Sequence, residues 1–386
     1  MSTAIMAFRI ERFPDTAEAR AAAVRFNERL RTKGHTEFQL MENPFCKHAP
    51  EGLGLPQWQQ YFLATEDTAG VPMEARGGYI MQYQNVQREG RPEAAPCGFL
   101  RLPLSEGITD PRYAAVGMLL LRDAMKREPE LCSLGMGGIQ RPLPRLMQGM
   151  GWHVVEVPFH FHVLNPFVFF RNARVLRRKR FMTPACETAA WTGLGRLAMA
   201  FMQRRQPSRR HVDPGVEVAQ EPTFGPWANE VWERSAPHYS FCGQRTTHLL
   251  NTLYPADDSR WIRLHLRKEG KSIGWALLLA TDVRDHKQFG NMRLGSLADC
   301  LSTPEDAPLV VRAAMAELRR RKADLIVTNQ MNASWNTALK QNGFLGGPSN
   351  FVWAVAPSLQ KKFTSIAEAV PRAHMNRGDG DGPINL

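Results

Sequence analysis

The chain repeats one order of secondary-structure signals in its two halves. In each half, strand-like runs precede a long helix, and a strand, a short helix, a glycine–aromatic pair and a further strand follow it. The pair is Gly151–Trp152 in the first half and Gly343–Phe344 in the second. Capping residues, lengths and stop signals agree twice, which predicts an internal duplication of an α/β unit. The alternative is a chance agreement of two generic α/β patterns.

The end signals and the apolar periodicity give the predicted elements. N-caps are predicted at Asp15, Asp110 and Asp306, and the helices that follow them at about 16–33, 111–127 and 307–322. Shorter helices are predicted at about 142–150, 187–202 and 333–342. Strands are predicted at about 61–66, 77–86, 131–136, from 152 onward, 261–267, 272–280, 292–301, 324–328 and 350–356.

The length of 386 residues and the hydrophobic fraction of 43% suit two domains, each with its own core. We therefore expect four segments, which are an N-terminal half, a basic connecting segment with a linker, a C-terminal half and a tail. Their ranges are 1–165, 166–220, 221–360 and 361–386.

Cysteine usage and hydropathy indicate the compartment. The six cysteines are scattered and form no C-x-x-C pair, which argues against a zinc knuckle and a disulfide scaffold. The N-terminus lacks the pattern of a signal peptide, and the most apolar window, 154–170, is too polar for a membrane span. We expect a cytoplasmic protein that binds no metal.

The net charge of +12 is concentrated in the connecting segment. There, NPFVFFRNARVLRRKR (165–180) joins phenylalanines to arginines, and 203–214 is typical of an exposed linker. Aromatic and basic residues together suit a peripheral contact with an anionic membrane, or nucleic acid. A strand end followed by a solvated helix is the slightly preferred interpretation.

Several fragments resemble the GNAT acyltransferase superfamily. NASWNTALKQNGF keeps the spacing from Asn332 to Gly343–Phe344 that is typical of a late GNAT helix. LPLSEGITDPRY, LGMGGIQRPLPRLMQGMGW and RGDGDGP resemble the tandem GNAT-like proteins that accompany exopolysaccharide and capsule synthesis. The usual tyrosine acid is replaced by Leu339 in the second half and by Met147 in the first. Neither half keeps the glycine-rich phosphate loop.

The resemblance implies an α/β (α+β) fold class: two tandem GNAT-like acyl-CoA acyltransferase folds, each a mixed, mostly antiparallel sheet flanked by helices. It also implies that acyl-CoA lies where one strand splays from its neighbour, with the pyrophosphate at the start of the long helix. The first half is the better donor candidate, since Gly107 permits close backbone approach and Arg112 supplies a cation beside the Asp110 cap. Gly137 and Gly138 complete the cofactor-binding set. The alternative is that both long helices are merely well capped.

Catalytic candidates follow from position along the chain. Asn329 and Asn332 follow an apolar strand directly, where ligands dock in α/β folds, although helix capping by Asn332 is at least as good an explanation. Glu106, Asp299 and His374 are candidate bases, and His238 is a further one.

The ending HMNRGDGDGPINL contributes the substrate-binding candidates Arg377, Asp379 and Asp381, to which we add Trp335. The Asp–Gly alternation resembles part of a calcium loop but lacks its later glutamate, so no metal is predicted. The default expectation is a flexible tail. The functional alternative is a tail that folds over the active site, so that deleting the last dozen or so residues abolishes turnover without lowering the melting temperature.

The predicted function is an acyl-CoA-dependent N- or O-acyltransferase. It would use acetyl-CoA or another acyl-CoA to modify a sugar or glycan precursor in polysaccharide biosynthesis. The alternatives are a FemAB-like transferase that uses aminoacyl-tRNA, and a catalytically degenerate GNAT pair that acts as a scaffold or ligand sensor. Nucleic acid is an expected partner only for the tRNA-dependent alternative, and the sequence does not set the oligomeric state.

Overall fold

The computed structural model describes residues 8–42, 57–66, 72–91, 93–177, 182–204 and 215–379. Up to residue 156 its elements are β1 (Phe8–Arg12), α1 (Ala17–Thr32), β2 (Gln57–Glu66), β3 (Glu74–Arg88), β4 (Ala95–Ser105), α2 (Ala114–Arg127), β5 (Leu131–Met136), α3 (Pro142–Gly149) and β6 (His153–Glu156). Short 3-10 turns at Glu106–Ile108 and Pro111–Tyr113 lead into α2.

The remaining elements begin with β7 (Phe159–Val163), α4 (Pro166–Asn172), α5 (Met182–Trp191), α6 (Leu194–Arg204), β8 (Val216–Glu221), α7 (Trp227–Ser235), β9 (Phe241–Gly243) and α8 (Thr247–Leu253). They continue with β10 (Ile262–Lys268), β11 (Lys271–His286), β12 (Gly290–Ser302), α9 (Ala307–Arg320), β13 (Leu325–Asn329), α10 (Ala333–Gln341), β14 (Leu345–Gly347), β15 (Phe351–Val355), α11 (Pro357–Gln360) and α12 (Ile366–Ala369). In the described part of the chain, no helix is long and apolar enough to span a membrane.

The chain forms two compact units that are each discontinuous in sequence. Unit 1 comprises residues 1–86, 95–155 and 352–366, and unit 2 comprises 87–94, 156–351 and 367–386. The predicted division at residues 165, 220 and 360 stays a prediction. It follows repeated sequence signals, whereas the two units are groups of residues that contact one another.

The sheet of unit 1 contains the strand order β1–β2–β3–β4–β5–β15–β6. Strands β1 to β4 pair antiparallel with one another in that order, whereas β4 and β5 are parallel. Helix α2 packs on this sheet with Val116, Leu120 and Ala124, which are fully buried. The predicted periodicity of α2 is therefore confirmed.

The sheet of unit 2 has the order β14–β7–β13–β12–β11–β10–β8. Among the described strand pairs of this sheet, only β12 and β13 are parallel. Its core is built around Trp275 and Trp335, and α9 contributes Val311 and Leu318. The fold class is confirmed by the two mixed, mostly antiparallel sheets and by the helices, which follow the predicted order in both units.

Two local predictions are wrong, and a third falls mostly on residues that the structure does not describe. Thr16, not Asp15, caps α1, because the Thr16 Oγ1 accepts the Ala19 N–H at 3.2 Å while Asp15 pairs with Arg20. The single helix predicted at 187–202 is two helices, separated at Gly193, whose φ is +74°. The predicted linker 203–214 lies mostly outside the described residues.

Candidate functional site

Each sheet contains a pair of parallel strands that separate soon after they meet. In unit 1, β4 pairs with β5 only at residues 98–99 and 131–132. In unit 2, β12 pairs with β13 only at residues 294–296 and 325–327. In both units the first strand continues well beyond its last paired residue. The two units therefore share a V-shaped gap between two strands.

The last contact before the strands separate is the same in both units. The Ser133 hydroxyl donates to the Leu100 carbonyl at 2.8 Å, and the Thr328 hydroxyl donates to the Leu297 carbonyl at 2.9 Å. Both hydroxyls lie one residue beyond the last paired position of their strand. This matched contact aligns the two gaps residue by residue and supports the predicted duplication.

A β-bulge bends the first strand of each gap just beyond this contact. In unit 1 the β3–β4 register shifts around Leu102 and Pro103, and Leu102 has a φ of +46°. In unit 2 the β11–β12 register shifts around Ala298. A bulge bends its strand and increases the local twist, so the first strand of each gap changes course close to the point where the parallel pairing ends.

The gap of unit 2 is filled by the chain itself, with residues 374–379. Asn376 forms an isolated antiparallel bridge with Gln330, directly after β13. The Asn376 amide also donates to the Asp299 carboxylate of β12 at 2.9 Å. The segment thus contacts both separated strands. The expectation of a flexible tail is wrong for these residues, and Asp381 lies outside the described residues.

A buried charge cluster fixes this segment. The Arg245 guanidinium donates to Asp299 at 3.0 Å and to Asp379 at 2.7 Å, and the Tyr254 hydroxyl donates to Asp299 at 3.0 Å. Burial raises the pKa of Asp379, and the nearby Asp299 carboxylate raises it further, while Arg245 acts in the opposite direction. Removing any member would leave a buried charge without its partner, so the cluster locks the segment in place.

His374 and Arg377 are the other members of the segment that fills the gap of unit 2. The His374 Nε2 lies 2.7 Å from the Cys300 carbonyl, and its ring stacks on Tyr239 at 4.7 Å between centroids. Burial, with Arg245 nearby, lowers the pKa of His374 to about 4, so the ring is neutral at pH 7. Burial also lowers the pKa of Arg377 to about 10, and its Nε donates to the Asn329 side chain at 2.9 Å.

The remaining candidates of unit 2 lie at the start of α10. The Asn332 side-chain oxygen Oδ1 accepts the Ser334 and Trp335 N–H groups at 2.9 and 3.3 Å, so Asn332 is the N-cap of this helix. Trp335 is fully buried, and its indole N–H donates to the Tyr239 hydroxyl at 2.9 Å. The structure brings Asn329, Asp299 and the tail candidates together, whereas their catalytic and substrate-binding roles stay predictions.

In unit 1, the predicted donor residues lie in the turn before α2. The Asp110 carboxylate accepts the Arg112 N–H at 3.0 Å and pairs with the Arg112 guanidinium at 2.7 Å, which lowers the pKa of Asp110 to about 2. A Cβ on Gly107 would lie 2.7 Å from the Tyr113 carbonyl oxygen. Gly107 is therefore needed for close packing of the turn against the chain entering α2, and Arg112 stays exposed.

Glu106 occupies the same turn but points into the unit. Its two carboxylate oxygens accept hydrogen bonds from Arg29 and Arg76, each at 2.9 Å, and the residue is buried. Arg76 also pairs with Glu66 at 2.8 Å. Glu106 thus anchors the turn to α1 and β3, and its role as a base stays a prediction.

The end of β5 and the loop that follows it have an unusual backbone. Gly135, Met136, Gly137 and Gly138 have φ values of +111°, +65°, +74° and +117°. Successive turn residues with positive φ can aim backbone N–H groups into one concavity, the arrangement that binds anions in other proteins. Arg141 follows at the start of α3, which has no side-chain cap. The predicted residues Gly137 and Gly138 lie in this segment, and their cofactor-binding role stays a prediction.

An open groove of about 580 Å³ lies between α2 and α3, lined by Met118, Arg122, Met125, Arg145, Leu146, Gly149 and Met150. Its lining joins flexible apolar side chains to two cations. No group of three or more metal-ligating side chains occurs among the described residues.

Solved structures of acyltransferases are similar to this chain at low sequence identity. Saccharomyces cerevisiae N-myristoyltransferase with bound myristoyl-CoA is 10% identical, with a TM-score of 0.49 over 90% of this chain and 78% of that one. A tandem GNAT protein from the clavulanic acid pathway is 13% identical, with a TM-score of 0.47 over 91% and 99%.

A probable N-acyltransferase from Enterococcus faecalis V583 is 10% identical, with a TM-score of 0.48 over 92% of this chain and 74% of that one. No protein-family model matches the sequence, and no curated protein sequence matches it significantly. At these identities the similarities concern the course of the chain and identify neither donor nor acceptor.

Sequence reasoning missed the buried cluster. Arg245 and Tyr254 lie in a stretch without motif signals, and their partner Asp379 lies in a glycine-rich tail 134 residues from Arg245. The local pattern around each of these residues indicates a surface position. Only their meeting in three dimensions reveals the charge pairing.

Proposed function

We propose that the protein is an acyl-CoA-dependent acyltransferase whose donor binds in the strand gap of unit 1. The observation that carries this proposal is the difference between the two gaps. Unit 2 fills its gap with residues 374–379, whereas among the described residues of unit 1 no isolated bridge joins a third segment to the separated ends of β4 and β5. An extended pantetheine arm is the kind of group that would occupy such a gap.

The cations around α2 and α3 support an anionic donor. Arg112 is exposed at the start of α2, and Arg141 lies beside the positive-φ loop that contains Gly137 and Gly138. Backbone N–H groups at such a loop and at a helix start favour phosphate groups. We infer that these residues hold the diphosphate of the donor.

The chemistry is direct transfer. The amine or hydroxyl of the acceptor attacks the thioester carbonyl, its proton passes to a base, and the thiolate of CoA leaves and takes up a proton. Holding the two reactants in line supplies most of the rate gain, and a backbone N–H freed by the bulge of β4 would polarise the carbonyl. Acetyl-CoA is the simplest donor that fits this scheme.

The acceptor class comes from sequence resemblance alone. The fragments LPLSEGITDPRY and RGDGDGP resemble tandem GNAT-like proteins that accompany polysaccharide synthesis. We infer a sugar or glycan precursor as acceptor and a cytoplasmic site of action.

A second candidate, a GNAT pair without catalysis that serves as a scaffold or ligand sensor, is favoured by one observation. The candidates Asn329, Asp299 and His374 all take part in the buried contacts that hold the tail. Unit 2 would then be a purely structural partner of unit 1. If unit 1 also fails to bind a donor, this candidate replaces the first.

The test is the thermal stability of the protein with and without acetyl-CoA and longer acyl-CoAs. A ligand that binds only the folded state stabilises it by about 2.7 kcal/mol at one hundred times its dissociation constant, which raises the melting temperature by a few degrees. The size of the increase ranks the acyl chains. No increase with any acyl-CoA would overturn the proposal.

A matched pair of variants locates the donor. Arg112→Ala should weaken the ligand-induced increase, because it removes a phosphate-facing cation. Arg260→Ala is the control, since Arg260 pairs with Asp258 in unit 2 through the same two-residue geometry, at 2.6 Å. An equal increase in both variants would place the donor elsewhere.

A further inference from the structure

The helices α5 and α6 of unit 2 expose an apolar surface. Helix α6 presents apolar residues at helical spacing i, i+3, i+4, i+7 and i+8, and all five positions are exposed: Leu194, Leu197, Ala198, Phe201 and Met202. This spacing is normally the buried stripe of an amphipathic helix. The buried residues of α6 are instead Gly195 and Met199, which lie on another face.

Aromatic residues extend this surface. Trp191, at the end of α5, is 68% exposed, and Phe167 of α4 packs edge-on against it at 5.2 Å between ring centroids. We call the α5–α6 patch the following set: Phe167, Trp191, Leu194, Leu197, Phe201 and Met202. A contiguous apolar surface of this kind marks an interaction site.

The surroundings of the patch are basic. The Arg171 guanidinium lies over both Phe167 and Trp191, at 5.5 and 5.3 Å from the ring centroids, and Arg196 is exposed on α6. In the sequence, 177–180 before α5 reads RRKR, and 204–210 after α6 contains four arginines. Both ends of the helix pair are therefore joined to cationic sequence.

We propose that the α5–α6 patch is a docking surface for an anionic lipid bilayer. Leucine and phenylalanine would enter the boundary between headgroups and acyl chains, and Trp191 would lie at the interface, where its amphipathic ring is favoured. The flanking cations would neutralise anionic headgroups, and the chain's net charge of +12 favours the approach. The proposal is independent of the acyltransferase activity.

Vesicle flotation tests it. The wild-type chain should float with phosphatidylcholine vesicles that contain roughly one-quarter phosphatidylglycerol, and not with phosphatidylcholine alone, since binding needs anionic headgroups as well as apolar burial. The double variant Leu197→Glu, Phe201→Glu should bind at least about tenfold more weakly, because it places carboxylates at the membrane surface.

The control is Phe38→Glu, which changes a phenylalanine of unit 1 that is 54% exposed, similar to the 63% of Phe201. It should bind vesicles like the wild type. Unchanged melting temperatures would show that all variants fold. Absence of binding to anionic vesicles, or equal binding by the double variant, would overturn the proposal. A wild-type dimer that the double variant abolishes, without vesicle binding, would assign the patch to a second copy of the chain.

Discussion

Units 1 and 2 contain the same bulged strand gap and use it differently. Both gaps begin at a hydroxyl-to-carbonyl hydrogen bond, from Ser133 in unit 1 and from Thr328 in unit 2. In unit 2 the chain's own residues 374–379 then bridge the separated strands. In unit 1, four successive residues at the end of β5 and in the loop after it have positive φ values, and Arg141 follows them.

The difference teaches that two copies of a strand gap can share their geometry while only one of them, in unit 2, is bridged by a later segment of the chain. The charges agree with this division. At the gap of unit 2, the Arg245 guanidinium pairs with the carboxylates of Asp299 and Asp379 in a buried cluster. In unit 1, Arg141 is exposed, and Arg112 is exposed while it pairs with Asp110. The first arrangement stabilises the fold, and the second is suited to an anion.

The contrast between the two units is tested most directly by removing the segment that fills the gap of unit 2. Deleting residues 374–386 should destabilise the protein by about 3–5 kcal/mol, because Arg245 and Asp299 lose buried partners. Urea unfolding measures this loss. Deleting only residues 380–386 is the control and should cost much less.

This outcome reverses the expectation that the tail can be removed without lowering the melting temperature. If the longer deletion leaves the unfolding free energy unchanged, the segment does not fill the gap in solution, and the contrast between the units fails.

Acid should also destabilise unit 2. This unit contains His162 and His374, and burial lowers the pKa of each of them to about 4. A depressed pKa means that the unfolded chain binds the proton more readily, so the stabilisation is present above about pH 6.5 and is lost as the pH falls towards 4. Each histidine should lower the free energy of unfolding by about 2 kcal/mol between pH 7 and pH 5.

Urea unfolding of the wild type and of His374→Gln across this range measures the slope. The glutamine can still donate to the Cys300 carbonyl, so it should flatten the pH dependence while preserving the contact. Identical slopes in the two proteins would show that His374 does not titrate as described.

The smallest expected effect tests whether Ser133 and Thr328 occupy equivalent positions in the two gaps. Ser133→Ala and Thr328→Val each remove one buried hydroxyl that donates to a strand carbonyl, and each should cost about 1 kcal/mol. Similar losses of unfolding free energy would support equivalent positions. A large loss in one unit and none in the other would contradict the residue-by-residue match.

Much of the fold could be predicted because its signals are local. Asp110 and Pro111 indicate the start of the helix that became α2, and Gly343 ends α10 as expected. The pattern did not indicate the strand Ala95–Ser105, since its prolines and absence of alternation hide it. Nor did it indicate that β15 pairs within the sheet of unit 1, because strand pairing between distant segments leaves no local signal.

The candidate site was less predictable than the fold. Sequence reasoning selected Asp299, Asn329, His374, Arg377 and Asp379, and the structure brings these residues together. It could not show that they bind one another, because burial and charge pairing depend on contacts such as that between Asn376 and Asp299, which are 77 residues apart.

The number of donor sites per chain tests the central claim most directly. Titration calorimetry with acetyl-CoA, or with the acyl-CoA that gives the largest thermal shift, should give one site per chain, lost in Arg112→Ala and kept in Arg260→Ala. Two equivalent sites would mean that the gap of unit 2 also opens to ligand. No site at all would mean that neither gap holds an acyl-CoA, and the account of unit 1 would be wrong.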